Sequence, residues 1–216
     1  MSTKPFITEI VDTLIDDGTG MNLMAAAIRL LAHGQPITVD QLARAAGVNA
    51  ADIAGAPAAD DIEYDGRGRI IGWGLTLNPT PHRYIVDDRL LYTWCAADTL
   101  LFPAIIGRAA RIESPCPTTE TTIRLTAEPA AGIVDLEPAS AVLSTPGRGE
   151  LDISCVRQTC CNPGRYFADM DAASDWRHQH PTGAVLSVAD AYEQISSAVR
   201  RAMDPSRRGG GPVPCA

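Results

Sequence analysis

The sequence predicts an α+β protein: a helical, winged-helix-like N-terminal domain, then a catalytic-sized domain of mixed or antiparallel sheet with flanking helices. Three observations carry this. Apolar residues recur at helical spacing, with capping signals, as far as Ile53. A hairpin pattern follows between Ile62 and Trp73. From His82 onward strand-like runs succeed one another, with helices at the edges of the series.

Phe6, Ile7, Ile10, Val11 and Leu14 repeat with a helical period, which Asp16-Asp17-Gly18-Thr19-Gly20 ends. Met21 to His33 reads as a second helix, closed by Gly34 with Pro36 just beyond. Thr38-Val39-Asp40-Gln41 has capping-box spacing and opens a third through Ala46; Gly47 turns the chain, and Asn49 can cap a short fourth through Ile53. Ile62-Glu63-Tyr64 and Arg69 to Trp73 flank the turn Asp65-Gly66-Arg67-Gly68. Further on, His82–Val86 reads as a strand, and Asp87-Asp88-Arg89 leads into a helix over the apolar run that follows. Strands are expected at Ala110–Ile112, Thr121–Ala127, Gly132–Leu136 and Ala141–Ser144, with Thr145 to Gly149 a loop. Beyond Leu151–Cys161 come an extended Tyr166-Phe167-Ala168, a helix near Ala172–Gln179, a strand Gly183–Leu186 and a last helix to about Met203, which Ser187 can cap. The domains are thus 1–80 and 81–205, with a disordered tail over 206–216 rich in glycine and proline.

A chain of 216 residues that is 45% hydrophobic has enough apolar surface for a real core. Its formal charge of −8 argues against a nucleic-acid partner, because phosphate binding needs clustered Lys and Arg. The would-be reading helix, Asn49 to Ala54, carries Asp52 and no basic residue, so the winged helix is expected to be structural. No signal peptide is visible, and the most apolar stretch, Leu90 to Gly107, is broken by Asp98 and Pro103. The expectation is a cytoplasmic protein with no membrane partner. The six cysteines (Cys95, Cys116, Cys155, Cys160, Cys161, Cys215) are then free thiols, and no CxxC pair supports a zinc ribbon or a dithiol redox site.

The chemistry concentrates in Tyr92-Thr93-Trp94-Cys95-Ala96-Ala97-Asp98-Thr99-Leu100-Leu101-Phe102-Pro103. In a helix Cys95 and Asp98, three residues apart, share a face. Apolar neighbours disfavour the charged form of Asp98 and raise its pKa. A second cluster, Val156-Arg157-Gln158-Thr159-Cys160-Cys161, offers two adjacent thiols; in a strand they point apart and in a turn they splay, so one of them is expected to meet Cys95. Arg157 or Arg165 could lower a nearby thiol pKa. His33, His82, His178 and His180 read as surface residues, which leaves no histidine for a Cys-His or Ser-His site. Two thiols and a carboxyl without histidine suit a soft, low-coordinate metal, of which mercury is the extreme.

With these residues in place, the chain resembles the organomercurial lyases, or alkylmercury lyases, over nearly its whole length. The resemblance rests on Ile62-Glu63-Tyr64-Asp65, on Ile70 to Leu77, on the unbroken block Asp87 to Pro103 and on Val156 to Cys161. It implies protonolysis of a carbon–mercury bond by Cys95, Cys160 and Asp98, with these three residues also holding the mercury. It implies a structural role for Cys116, a dispensable Cys161, no organic cofactor, exogenous thiols for turnover, and mercuric reductase as the acceptor of Hg(II). Asn162-Pro163-Gly164-Arg165 departs from the histidine-containing apolar residues of many relatives, which bears on substrate preference. The sequence assigns no role to Cys155. For Cys215, on a glycine tether, it suggests handing mercury onward. Two rival functions share the thiol set: a metal-sensing winged-helix regulator, and a mercury or copper carrier without turnover.

Overall fold

Capping interactions set the helices at the start of the described chain. The computed structural model describes residues 19–56, 58–152 and 154–202; the expected helix at Phe6–Ile15 and the tail at 206–216 lie outside them. Helix α1 spans Thr19–Leu31 and buries Leu23, Ala27, Ile28 and Leu31. Helix α2, Val39–Ala46, begins at a full capping box: Thr38 Oγ1 accepts from the Gln41 amide at 3.1 Å, and Gln41 Oε1 accepts from the Thr38 amide at 2.7 Å. Gly47 ends it in the left-handed conformation, φ 72°. Helix α3, Ala50–Ile53, is a single turn whose Asp52 carboxylate accepts from both nitrogens of Asn49.

The hairpin forms as expected from β1 (Glu63–Tyr64) and β2 (Ile70–Trp73). It does not stand apart. β2 pairs with β3 (Leu75–Thr76), and β3 with β5 (Arg89–Thr93), so the hairpin is the edge of an eight-stranded antiparallel sheet. The order is β1-β2-β3-β5-β4-β6-β7-β8, with β4 His82–Val86, β6 Ala110–Pro115, β7 Thr122–Glu128 and β8 Gly132–Glu137. A second, three-stranded sheet, β10-β9-β11, is made of Tyr166–Phe167, Val142–Thr145 and Ala184–Ser187.

One expected helix is corrected here. Arg89–Thr93 is a strand, paired with β4 through a two-residue turn in which Asp87 and Asp88 both have positive φ, 48° and 59°. That is the turn whose twist matches a hairpin, and Asp tolerates it. The helix of this region, α4, therefore starts at Ala96 and runs to Ile106. Buried residues lie all round it (Ala96, Thr99, Leu100, Leu101, Phe102, Ile105), as befits a helix enclosed by other elements. Arg29 of α1 donates to the Ile105 carbonyl at 2.9 Å, tying the N-terminal helices to the end of α4. Helices α5, Ser174–Gln179, and α6, Val188–Ala202, complete the fold. No described helix is long and apolar enough to cross a membrane.

Gly72 shows how closely the hairpin is fitted. It lies between Glu63 and Thr76 in the pairing of β1, β2 and β3. A Cβ at this position would come within 2.3 Å of Glu63 Oε2 and 2.6 Å of Thr76 Oγ1. Its missing side chain lets the Glu63 carboxylate accept a hydrogen bond from Thr76 across the intervening strand. Gly72→Ala is expected to destabilise the fold by roughly 1–3 kcal/mol; an unchanged thermal midpoint would show that the strands part freely there.

Candidate active site

Cys95 stands where strand β5 passes into helix α4, and its backbone is tied down from both sides. The Thr93 hydroxyl donates to the Cys95 carbonyl at 2.9 Å, the Trp94 amide to Gly74 O at 2.9 Å, and the Ala96 amide to Gly164 O at 3.1 Å. Cys95 is extended, φ −141° and ψ 170°, and is the N-cap of α4. Its sulfur accepts from the Asp98 amide at 3.4 Å, while Asp98 Oδ2 accepts from the Cys95 amide at 3.2 Å. The thiol and carboxylate are therefore the two halves of a capping box, with cysteine in the place usually held by serine or threonine. They meet as expected, although Cys95 lies one residue outside the helix.

The second thiol cluster is neither strand nor ordinary turn. Arg157–Cys161 forms a π-helical turn, closed by the Asn162 amide on Arg157 O at 2.8 Å. Such turns are rare and gather at functional sites. It separates the adjacent cysteines: Cys161 is buried and Cys160 partly exposed, and both thiols are free. Among the described residues, ligand atoms of Cys95, Asp98 and Cys161 lie within 4.8 Å of one another. The resemblance implied Cys160 in this role. Cys160, the partly exposed neighbour of Cys161 in the chain, is not one of the three. Gly164 lets this loop close down, since a Cβ there would sit 3.3 Å from Cys95 Cβ.

Burial holds the Asp98 carboxyl up at about 6, against hydrogen bonds from Cys95 and from the backbone of residues 94 and 95 that favour the carboxylate. At Cys95 a hydrogen bond from Cys161 pulls the pKa down, but burial and the charges of Asp98 and Cys160 prevail and leave it at about 11. Hydrogen bonding to Cys160 and Cys95, then burial, push Cys161 well above the ordinary thiol value. At neutral pH Cys95 and Cys161 are thus protonated thiols beside a carboxylate able to take a proton from them.

Two further expectations change. Arg157 is engaged elsewhere, paired with Glu63 and lying 4.9 Å over the Trp94 ring, so it does not lower Cys161. His82 is no surface residue: it is 1% exposed, with Nδ1 2.8 Å from Ser114 Oγ, and burial followed by the Arg165 charge lowers its pKa to about 3. His33 and His178 are exposed, and His180 is bound to Glu150 at 2.6 Å. Cys116 is buried at the end of β6, while Cys155 lies ahead of the π turn, outside the three-residue group. Cys215 lies outside the described residues. Glu63, which pairs with Arg157 and accepts from Trp94, was marked in the sequence only by its place in the Ile62–Asp65 motif.

Comparison with known proteins places the sequence in a family. Residues 75–200 match the family model "Alkylmercury lyase", and residues 6–74 match "Helix-turn-helix domain of alkylmercury lyase". An alkylmercury lyase of Streptomyces lividans is 49% identical over 77% of this chain and 76% of its own. Those of Bacillus cereus and Pseudomonas putida are 44% and 40% identical, each over 79% of this chain and 78% and 79% of theirs. The fold is similar to that of a structure described as the mercury-bound form of MerB2, with a TM-score of 0.72 and 20% identity, covering 92% of this chain and 98% of that one. Its sequence, along nearly all its length, makes this chain a member of the alkylmercury lyase family.

Proposed function

We propose that this enzyme cleaves organomercurials by protonolysis, with Cys95 and Cys161 as the mercury-binding thiols and Asp98 as the proton shuttle. The observation that carries the proposal is the meeting of two sulfurs and one carboxylate within 4.8 Å. Mercury enters as R–Hg–X. Asp98 takes the proton of one thiol and passes it to the departing ligand as HX, while the new thiolate bonds to mercury. The second thiol then gives its proton to Asp98 and adds its sulfur. Two thiolates push electron density onto carbon, which is otherwise a poor leaving group. Asp98 delivers the proton to that carbon as the Hg–C pair moves onto it. The products are R–H and Hg(II) on two sulfurs, with Asp98 again a carboxylate. Metal binding draws the protons from thiols that are otherwise reluctant acids.

In this reading the reaction uses no organic cofactor. Exogenous thiols or a mercuric reductase remove the ion, the enzyme works in the cytoplasm, and neither nucleic acid nor membrane takes part. The N-terminal winged-helix-like module, residues 1–80, serves the catalytic part, 81–205, as a support. The test is benzene release from phenylmercury in the presence of excess thiol. One benzene per mercury is expected, turning over with thiol. Binding of phenylmercury without hydrocarbon would make the protein a carrier.

A further inference from the structure

We infer that Glu63, on the first hairpin, is a positioning residue that locks the thiol-bearing π turn against the rest of the site. This rests on the lyase reading above. The Glu63 carboxylate accepts hydrogen bonds from four different residues. Its Oε2 accepts from the Thr76 hydroxyl and, at 2.9 Å, from Asn78 Nδ2; its Oε1 accepts from Trp94 Nε1 at 3.2 Å and from Arg157 Nη1. The Glu63 side chain is only 9% exposed, whereas Arg157 is 37% exposed, so the pair is anchored on the Glu63 side. One carboxylate thus joins β3, the residue before Cys95, and the first residue of the π turn that ends at Cys161.

Two more features serve the same junction. The Arg157 guanidinium lies over the Trp94 ring, so the tryptophan is held edge-on by Glu63 and face-on by Arg157. The Arg157 amide, at the open start of the turn, donates to Asp61 Oδ2 at 3.0 Å. Asp61 and Glu63 both fall in the stretch matching the helix-turn-helix family model, whereas Trp94, Cys95, Arg157 and Cys161 fall in the lyase model. The N-terminal unit therefore reaches into the site through two carboxylates. One grips the backbone of the π turn, and the other grips its arginine. Two sulfurs from remote parts of the chain can bind one ion only if their elements hold register, and this clamp fixes that register. Glu63 itself touches neither thiol.

The experiment compares the full chain with Glu63→Gln, Arg157→Gln and the double variant. It measures phenylmercury turnover and the rate at which iodoacetamide modifies Cys160 and Cys161, followed by mass spectrometry. Glu63→Gln is expected to lower kcat about 10–100-fold with little change in KM. It should speed alkylation of the buried Cys161 several-fold at a temperature where the variant is fully folded by circular dichroism. Because the two residues act as one unit, the double variant should be no slower than the slower single variant. The inference is overturned if Glu63→Gln matches the parent in kcat and alkylation, or if the losses multiply. A merely stabilising Glu63 would lower the melting temperature without moving alkylation in the folded state. Should the parent itself release no benzene, the lyase reading fails, and the alkylation rates still decide whether the clamp exists.

Discussion

Cys161→Ala is expected to abolish benzene release from phenylmercury, by a factor on the order of 10³ or more, while Cys160→Ala should retain most of the activity. The asymmetry follows from the π turn. Cys161 is buried and within 4.8 Å of both Cys95 and Asp98, whereas Cys160 is only partly buried and is not one of that group. With one sulfur removed, mercury keeps a single protein thiolate, and carbon does not accumulate enough electron density to take a proton. Cys95→Ala should be equally inert, since it removes the other sulfur. The measurement is single-turnover hydrocarbon release with thiol in excess, alongside circular dichroism to show that each variant is folded. An active Cys161 variant with an inert Cys160 variant would return the role to Cys160, as the resemblance alone implied.

The second large effect is at Asp98. Asp98→Asn should bind phenylmercury and release benzene roughly 10²–10⁴-fold more slowly. The parent's activity should rise with pH through about 6, where the carboxylate forms, and that limb should vanish in the variant. Stability should move the opposite way. Folding raises the Asp98 pKa from the ordinary 3.8 to about 6, so the folded state holds a proton that the unfolded chain gives up. The stability this confers is complete below about 3.8 and is lost as pH rises through about 6. At pH 8 the parent carries an ionised carboxylate in a poorly solvated place, and asparagine does not. Asp98→Asn should therefore melt a few degrees higher than the parent at pH 8 and show no such gain at pH 3.5. Unchanged turnover would remove the shuttle, and a lower melting point at pH 8 would remove the disfavoured carboxylate.

Most of the fold was legible because its signals are local. Thr38 and Gln41 close a capping box, Gly47 turns left-handed, and the strands from β6 to β9 alternate or fill as their sequences suggest. The Asp87-Asp88 turn was misread because aspartates before an apolar run equally suit a helix start, and only pairing with β4 selects the hairpin. His82 looked like a surface residue because nothing nearby in sequence announces Ser114, thirty-two positions on, as its partner. The site was legible as far as Cys95 and Asp98, whose spacing is that of a capping box. Which of Cys160 and Cys161 the fold brings within 4.8 Å of Cys95 and Asp98 was not, since adjacent residues differ only in the direction a turn gives them, and a π turn leaves no simple periodic mark. Glu63 was hidden for a related reason: its partners lie up to 94 positions away.

The cysteine that caps helix α4 has a consequence for how such an enzyme can be improved. Serine, threonine and aspartate are better helix starters than cysteine. A serine at position 95 would secure α4 more firmly and would have no affinity for a soft metal. An asparagine at position 98 would likewise sit more comfortably in its surroundings and move no proton. At both ends of this one cap, drift toward a sturdier molecule leads away from chemistry. A hunt for heat-tolerant variants that scores folding alone would therefore enrich inactive enzymes, and organomercurial has to be present as a selective pressure from the first round.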